Sequence, residues 1–205
     1  MEYRTIYQEC VYEEVEKRSK FISYSFKVET DSEIQKKLNN IKEFHHSAKH
    51  HVYAYRLNDK FAERYSDDGE PSGTAGLPIM EVIKGFELKN ILIVIVRYFG
   101  GILLGTGGLR RMYVSGAKNV IELSGTVKMS KCNQILVECE YKYYNQLNSI
   151  IFHFKGRIEK IDYESKIKIL FYVPWHLTNQ VIEKINNLLK TSQSTNLIGE
   201  SYYNI

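Results

Sequence analysis

Polar and apolar residues alternate over residues 4–28, where Ile6, Val11, Val15, Phe21, Ile22, Tyr24, Phe26 and Val28 are the apolar positions. A period near two in β-branched and aromatic residues predicts two strands, with a turn near Arg18-Ser19. The period then lengthens. Thr30-Asp31-Ser32 followed by Glu33 is a helix start, and Ile34, Leu38 and Ile41 carry a helical stripe to about Phe44. His51–Leu57 alternates again as a strand, with Lys60–Tyr65 as its partner. Leu77–Phe86 reads as a short helix, with Pro78 in its first turn, where no intrahelical donor is required. Asn90–Tyr98 is almost continuously apolar, the mark of a strand buried on both faces. Gly107–Leu123 is a helix stopped by Ser124-Gly125.

The rhythm changes after that stop. Lys131–Tyr141 is a strand, Asn145–Phe154 a helix, Arg157–Tyr163 and Lys166–Val173 two strands around a turn at Glu164-Ser165. His176–Leu189 is a helix and Thr195–Tyr203 a last strand. The order is βαββαβ, the ferredoxin-like split unit. The pattern therefore predicts an α+β protein with two domains, 1–127 and 128–205, although no Pro- or Ser-rich linker marks the boundary.

Composition narrows the class. The 205 residues are 43% hydrophobic and 25% charged, which suits a globular chain. The net charge of +4 is uneven: residues 1–127 hold 18 cations against 17 anions, residues 128–205 hold 10 against 7. That mild bias permits contact with nucleic acid without requiring it. Cys10, Cys132 and Cys139 are odd in number and far apart, which fits a reducing compartment better than disulfides or structural zinc. No signal-peptide pattern opens the chain, and the longest apolar run, Ile91–Val96, is far short of a membrane span. The expectation is a cytoplasmic protein with no membrane contact.

Two segments carry candidate chemistry. The second, Arg97–Arg110, places five of the 13 glycines at Gly100, Gly101, Gly105, Gly107 and Gly108, with Thr106 among them. A strand that re-enters a helix through such a loop leaves free backbone N–H groups that can bind an anion, and Arg97 and Arg110 would bracket it with positive charge. Neither standard nucleotide motif is present. Gly105 is not followed by the Lys-Ser/Thr of a P-loop, and Arg110 stands where a dinucleotide fingerprint needs glycine. The competing explanation is tight turns and close strand–helix packing.

The first segment, Ser66–Pro78, holds Asp67, Asp68 and Glu70 ahead of Ser72, Gly73 and Thr74. Three carboxylates in four residues could hold Mg²⁺ or supply a general base. An exposed acidic turn, with Ser72 or Thr74 capping the next helix, is the simpler reading. His45, His46, His50 and His51 cluster, but a metal site is not expected because no third ligand is obvious and Ser47-Ala48-Lys49 breaks the helix between His46 and His50. The 16 tyrosines lie mainly on alternating strands and read as sheet-face or core residues.

At these residues the sequence resembles the IMPACT/YigZ family. Residues 66–78 (Ser-Asp-Asp-Gly-Glu-Pro-Ser-Gly-Thr-Ala-Gly-Leu-Pro) and 94–109 (Val-Ile-Val-Arg-Tyr-Phe-Gly-Gly-Ile-Leu-Leu-Gly-Thr-Gly-Gly-Leu) look like its two long signature stretches. Lys17–Ile22 and Ala48–Tyr55 look like its weaker motifs, and the resemblance covers about residues 10–125. Val52 departs from the cysteine that many members carry there, which argues against a thiol nucleophile. The resemblance implies an N-terminal domain like the second domain of a small-subunit ribosomal protein, with a left-handed βαβ crossover, against the usual right-handed preference. It also implies a C-terminal domain similar to the last domain of elongation factor G. Eukaryotic relatives regulate translation by competing for the activator of a starvation-responsive kinase, through an extra N-terminal domain; the first motif here begins near residue 17, so that role does not transfer.

Three functions are therefore expected. The first is a non-enzymatic protein of the translation machinery that binds RNA, the ribosome or a translation factor and needs no cofactor. Its anion- or ligand-binding residues would be Ser72, Gly73, Thr74, Arg97, Gly100, Gly101, Gly105, Thr106, Gly107, Gly108 and Arg110, with the ferredoxin-like domain adding a basic sheet face. The second is an enzyme acting on a phosphorylated small molecule or nucleotide, with phosphate on the glycines and Asp67, Asp68 or Glu70 holding metal or acting as base. The third is a protein-interaction module using the same surface.

Overall fold

The structure is a computed structural model and describes residues 2–58, 62–190 and 195–204. The chain divides into two compact units: Tyr3–Val127, and a second holding Glu2 and the chain from Lys128 onward. The elements in order are β1 (Glu2–Ile6), β2 (Cys10–Glu16), β3 (Ser19–Lys27), α1 (Asp31–Phe44), β4 (His50–Arg56), β5 (Glu63–Ser66), α2 (Gly76–Gly85), β6 (Ile91–Tyr98), α3 (Gly105–Ser124), β7 (Thr126–Cys139), α4 (Tyr144–His153), β8 (Arg157–Tyr163), β9 (Ile167–Pro174), α5 (Thr178–Leu189) and β10 (Thr195–Tyr203). The N-terminal region thus holds three strands where the alternation predicts two. Part of the Lys60–Tyr65 strand expected from sequence lies outside the described residues; Glu63–Ser66 forms β5.

In the first unit the sheet order is β2-β3-β6-β4-β5, and every pair is antiparallel. Its centre is β6, whose first seven residues are all buried because helices cover both faces. Ile91, Ile93 and Ile95 point to one face, with Ile79 and Ile83 of α2 and Tyr113, Ala117 and Val120 of α3. Leu92, Val94 and Val96 point to the other, with Ile34, Leu38 and Ile41 of α1. The α1 start works as the sequence implies: the Thr30 hydroxyl accepts from the backbone N–H of Glu33, and the Glu33 carboxylate accepts from that of Glu29.

This arrangement fixes a chirality. β3-α1-β4 and β5-α2-β6 are both crossovers between parallel strands separated by one strand. The second pair runs opposite to the first and steps across the sheet in the opposite direction, and those two reversals cancel. The helices lie on opposite faces, which does not cancel. The two crossovers therefore have opposite hands, and one of them is left-handed, the sense that is rare among parallel connections.

In the second unit β10-β7-β9-β8 form an antiparallel sheet, the order a βαββαβ split unit produces. One face carries Ile135, Val137, Ile169, Phe171 and Val173 against Leu147 and Ile151 of α4 and Val181 and Ile185 of α5. The basic sheet face expected from sequence is instead mixed in charge. Lys160 pairs with Asp162, Lys166 with Glu138 and Lys168 with Glu164. No helix among the described residues is long and apolar enough to cross a membrane.

Candidate functional site

β5 ends where the first segment begins, and Asp67 organises the loop beyond it. Its carboxylate accepts from the backbone N–H groups of Gly73, Ala75 and Gly76, at 2.9, 3.1 and 2.8 Å. Asp67 therefore satisfies the N-terminus of α2. Ser72, expected as a cap, is exposed, and the Thr74 hydroxyl donates to the Pro71 carbonyl at 2.6 Å instead. The loop closes tightly: a Cβ on Gly76 would sit 2.7 Å from the Ser66 carbonyl oxygen. Asp68 takes a positive φ of 43° and its carboxylate accepts from the His51 backbone N–H at 2.6 Å.

That winding turns the acidic segment inward, against the expectation of an exposed turn. Glu70 is 8% exposed. Its Oε1 accepts from Arg97 Nη1 at 2.6 Å and from the Tyr113 hydroxyl at 2.9 Å. Arg97 stands near the end of β6, 4% exposed, with its guanidinium against the rings of Phe21 and Phe99. Tyr113, on α3, is fully buried. Burial first, and then the Glu70 carboxylate, push its hydroxyl well above the ordinary tyrosine range. His50 lies beside them, Nε2 3.9 Å from Glu70. Its Nδ1 is 2.8 Å from the Asp68 carbonyl, which can only accept, so Nδ1 carries the proton. One carboxylate thus ties the first segment to the second and to α3.

The five glycines of the second segment have different tasks. Gly100 is a packing residue: a Cβ there would lie 2.1 Å from the carbonyl carbon of Arg18. It braces the two-residue turn Lys17-Arg18, where both residues take positive φ (45° and 64°), a turn more often built from Asn-Gly. Ser19, the next residue, accepts from the Gly100 N–H at 3.2 Å and from Arg97 at 3.4 Å. Gly101 and Gly105 have φ of 83° and 72° and serve turns. A Cβ on Gly108 would meet the Leu104 side chain at 3.1 Å, whereas one on Gly107 would meet nothing within 4 Å.

Outside this frame lies an exposed loop. Leu103 is 81% exposed, Phe99 44% and Ile102 41%. Gly101, Gly105, Thr106 and Gly107 are exposed too, and α3 starts without a side-chain cap. Lys17, Arg18 and Lys49 are exposed nearby, with Lys49 Nζ 5.7 Å from the centre of the Phe99 ring. Arg110 is exposed but pairs with Glu81 at 2.8 Å.

The structure brings the two segments together, yet it places Arg97 beneath the surface and commits all three carboxylates to protein partners. Among the described residues no group of three histidine, cysteine or acidic side chains could hold a metal ion. Sequence reasoning missed Ser19, His50 and Tyr113 as members of the frame. Ser19 and His50 sit in the weaker motifs around residues 17–22 and 48–55. Tyr113 comes after Arg110 on α3 and carried no signal apart from its position.

The fold and site define a two-unit α+β protein in which two glycine-bearing segments are clamped by a buried ion pair. Residues 17–121 match the family model described as the Impact N-terminal domain. The IMPACT family member YvyE of Bacillus subtilis is 32% identical over 91% of this chain and 86% of its own. The IMPACT family member YigZ of Escherichia coli is 30% identical over 80% of this chain and 81% of its own. The chain belongs to the IMPACT family. A crystal structure described as that of a hypothetical protein is similar over 97% of this chain and 98% of its own, with a TM-score of 0.65 and 26% identity.

Proposed function

We propose that this protein is a non-enzymatic component of translation control that binds RNA on the ribosome through the exposed loop 99–108 and the cations beside it. The observation that carries the reading is the split between frame and loop. Glu70, Arg97 and Tyr113 are buried and paired, while Leu103, Phe99 and the uncapped first turn of α3 face outward. An uncapped helix start offers backbone N–H groups to phosphate. Phe99 and the exposed apolar residues offer surface to unstacked bases, and Lys17, Arg18 and Lys49 supply the long-range attraction. The family resemblance, and the likeness expected between these domains and those of a ribosomal protein and an elongation factor, support a place in translation.

Filter binding of ribosomal RNA and of whole ribosomes tests it. Retention at low salt should fall steeply as salt rises, with a slope set by the number of phosphates contacted. No retention at low salt would end the proposal. Retention of ribosomes that survives nuclease stripping of exposed RNA would transfer the contact to a protein partner.

A further inference from the structure

The second unit has a cavity that none of the signature residues line. It has a volume of about 550 Å³, and its walls include Lys128, Lys131, Lys155, Trp175, His176 and Glu2. All of these belong to that unit. Of its three lysines, Lys128 is offset by Glu2 and Lys131 by Glu200, which leaves Lys155 as the cation with no acidic partner among the described residues. The chain's only tryptophan is in the wall and is 52% exposed. Half of this large aromatic side chain stands in water beside the three lysines, with apolar surface still to cover. The neighbouring His176 ring meets it edge-on, 6.2 Å between centres.

We infer that this cavity binds a phosphorylated nucleoside, free or as one nucleotide of an RNA strand. Trp175 offers a face on which a base stacks. Lys155 is exposed and makes no ion pair among the described residues, so it meets phosphate without giving up a partner. Lys128 is held by Glu2 at 2.6 Å, and Glu2 also accepts from the Ser130 hydroxyl at 3.1 Å. An entering phosphate competes with Glu2 for Lys128. Lys131 is paired with Glu200 at 2.6 Å, so its charge is offset as that of Lys128 is. The site rests on the second unit alone, so it stands or falls independently of loop 99–108.

Because Trp175 is unique, its fluorescence, excited to the red of nucleotide absorption, reports on this cavity in the full chain. Adenosine 5′-monophosphate should quench it saturably, and ribose 5-phosphate should compete without quenching. Lys155→Gln should weaken binding about ten-fold, the loss expected for one charge-assisted contact. Glu2→Gln should tighten it by freeing Lys128. A short oligoadenylate that binds more tightly than the monophosphate identifies RNA as the source; equal affinity identifies free nucleotide. The absence of saturable quenching at low salt overturns the inference, and so does quenching that neither substitution changes.

Discussion

Glu70 is the residue on which the first unit's functional end depends. Removing one member of a buried ion pair leaves an uncompensated charge, which costs about 3–5 kcal/mol. Arg97→Ala should therefore lower the urea midpoint sharply. Tyr113→Phe alone should cost about 1–2 kcal/mol, and much less in the Glu70→Ala background, because the Glu70 carboxylate is the acceptor of the Tyr113 hydroxyl. A double-mutant cycle by chemical denaturation checks that coupling.

His45, 5% exposed, makes a second residue-scale test. Its ring nitrogens lie 2.6 and 2.8 Å from the Tyr24 and Tyr98 hydroxyls. Burial first, then the nearby His51 and Lys20, hold it below its usual 6.5. The unfolded chain therefore takes up the proton more readily than the folded one. Stability should be full above pH about 6.5 and decline as pH falls through that value. Replacing His45 with Gln should flatten the decline, measured by denaturation across the range from about pH 5 to about pH 8.

At the scale of elements, the glycines separate two explanations that spacing alone left joined. Gly100→Ala would drive a Cβ into the Arg18 backbone and should destabilise by about 1–3 kcal/mol through overpacking. Gly107→Ala meets open space inside α3 and should stabilise by roughly 0.5–1 kcal/mol, since alanine is the better helix former. Thermal melts of the two variants should move in opposite directions. Hydrophobic period predicted nearly every element here, because burial of β6 on both faces and of one stripe on each helix leaves a repeating mark. It did not predict β1 as a separate strand. The roles within the segments were less legible. Asp67 caps a helix through a residue nine positions away, and Glu70 is buried by an arginine 27 residues on. Only the folded chain brings such partners together, whereas Thr30 and Glu33 at α1 act within one turn and were readable.

At the scale of the whole molecule, the chain divides between Val127 and Lys128, each side with its own core. Residues 3–127 should fold alone, with the Arg97–Glu70 pair intact, and amide exchange of the isolated fragment should match the protection of the same residues in the full chain. The left-handed crossover belongs to this scale as well. It arises from two helices on opposite faces of one sheet, and no local pattern in the sequence encodes it.

The loop outside the buried frame is the proposed binding surface, and Gly107, in the uncapped first turn of α3, is its sharpest probe. Ribosome co-sedimentation and thermal melting are measured on the same preparations of wild type, Gly107→Ala and Leu103→Asp. Both variants should keep the fold, with Gly107→Ala as stable as wild type or more so, and both should lose ribosome retention at low salt. Unchanged retention by two well-folded variants would contradict it.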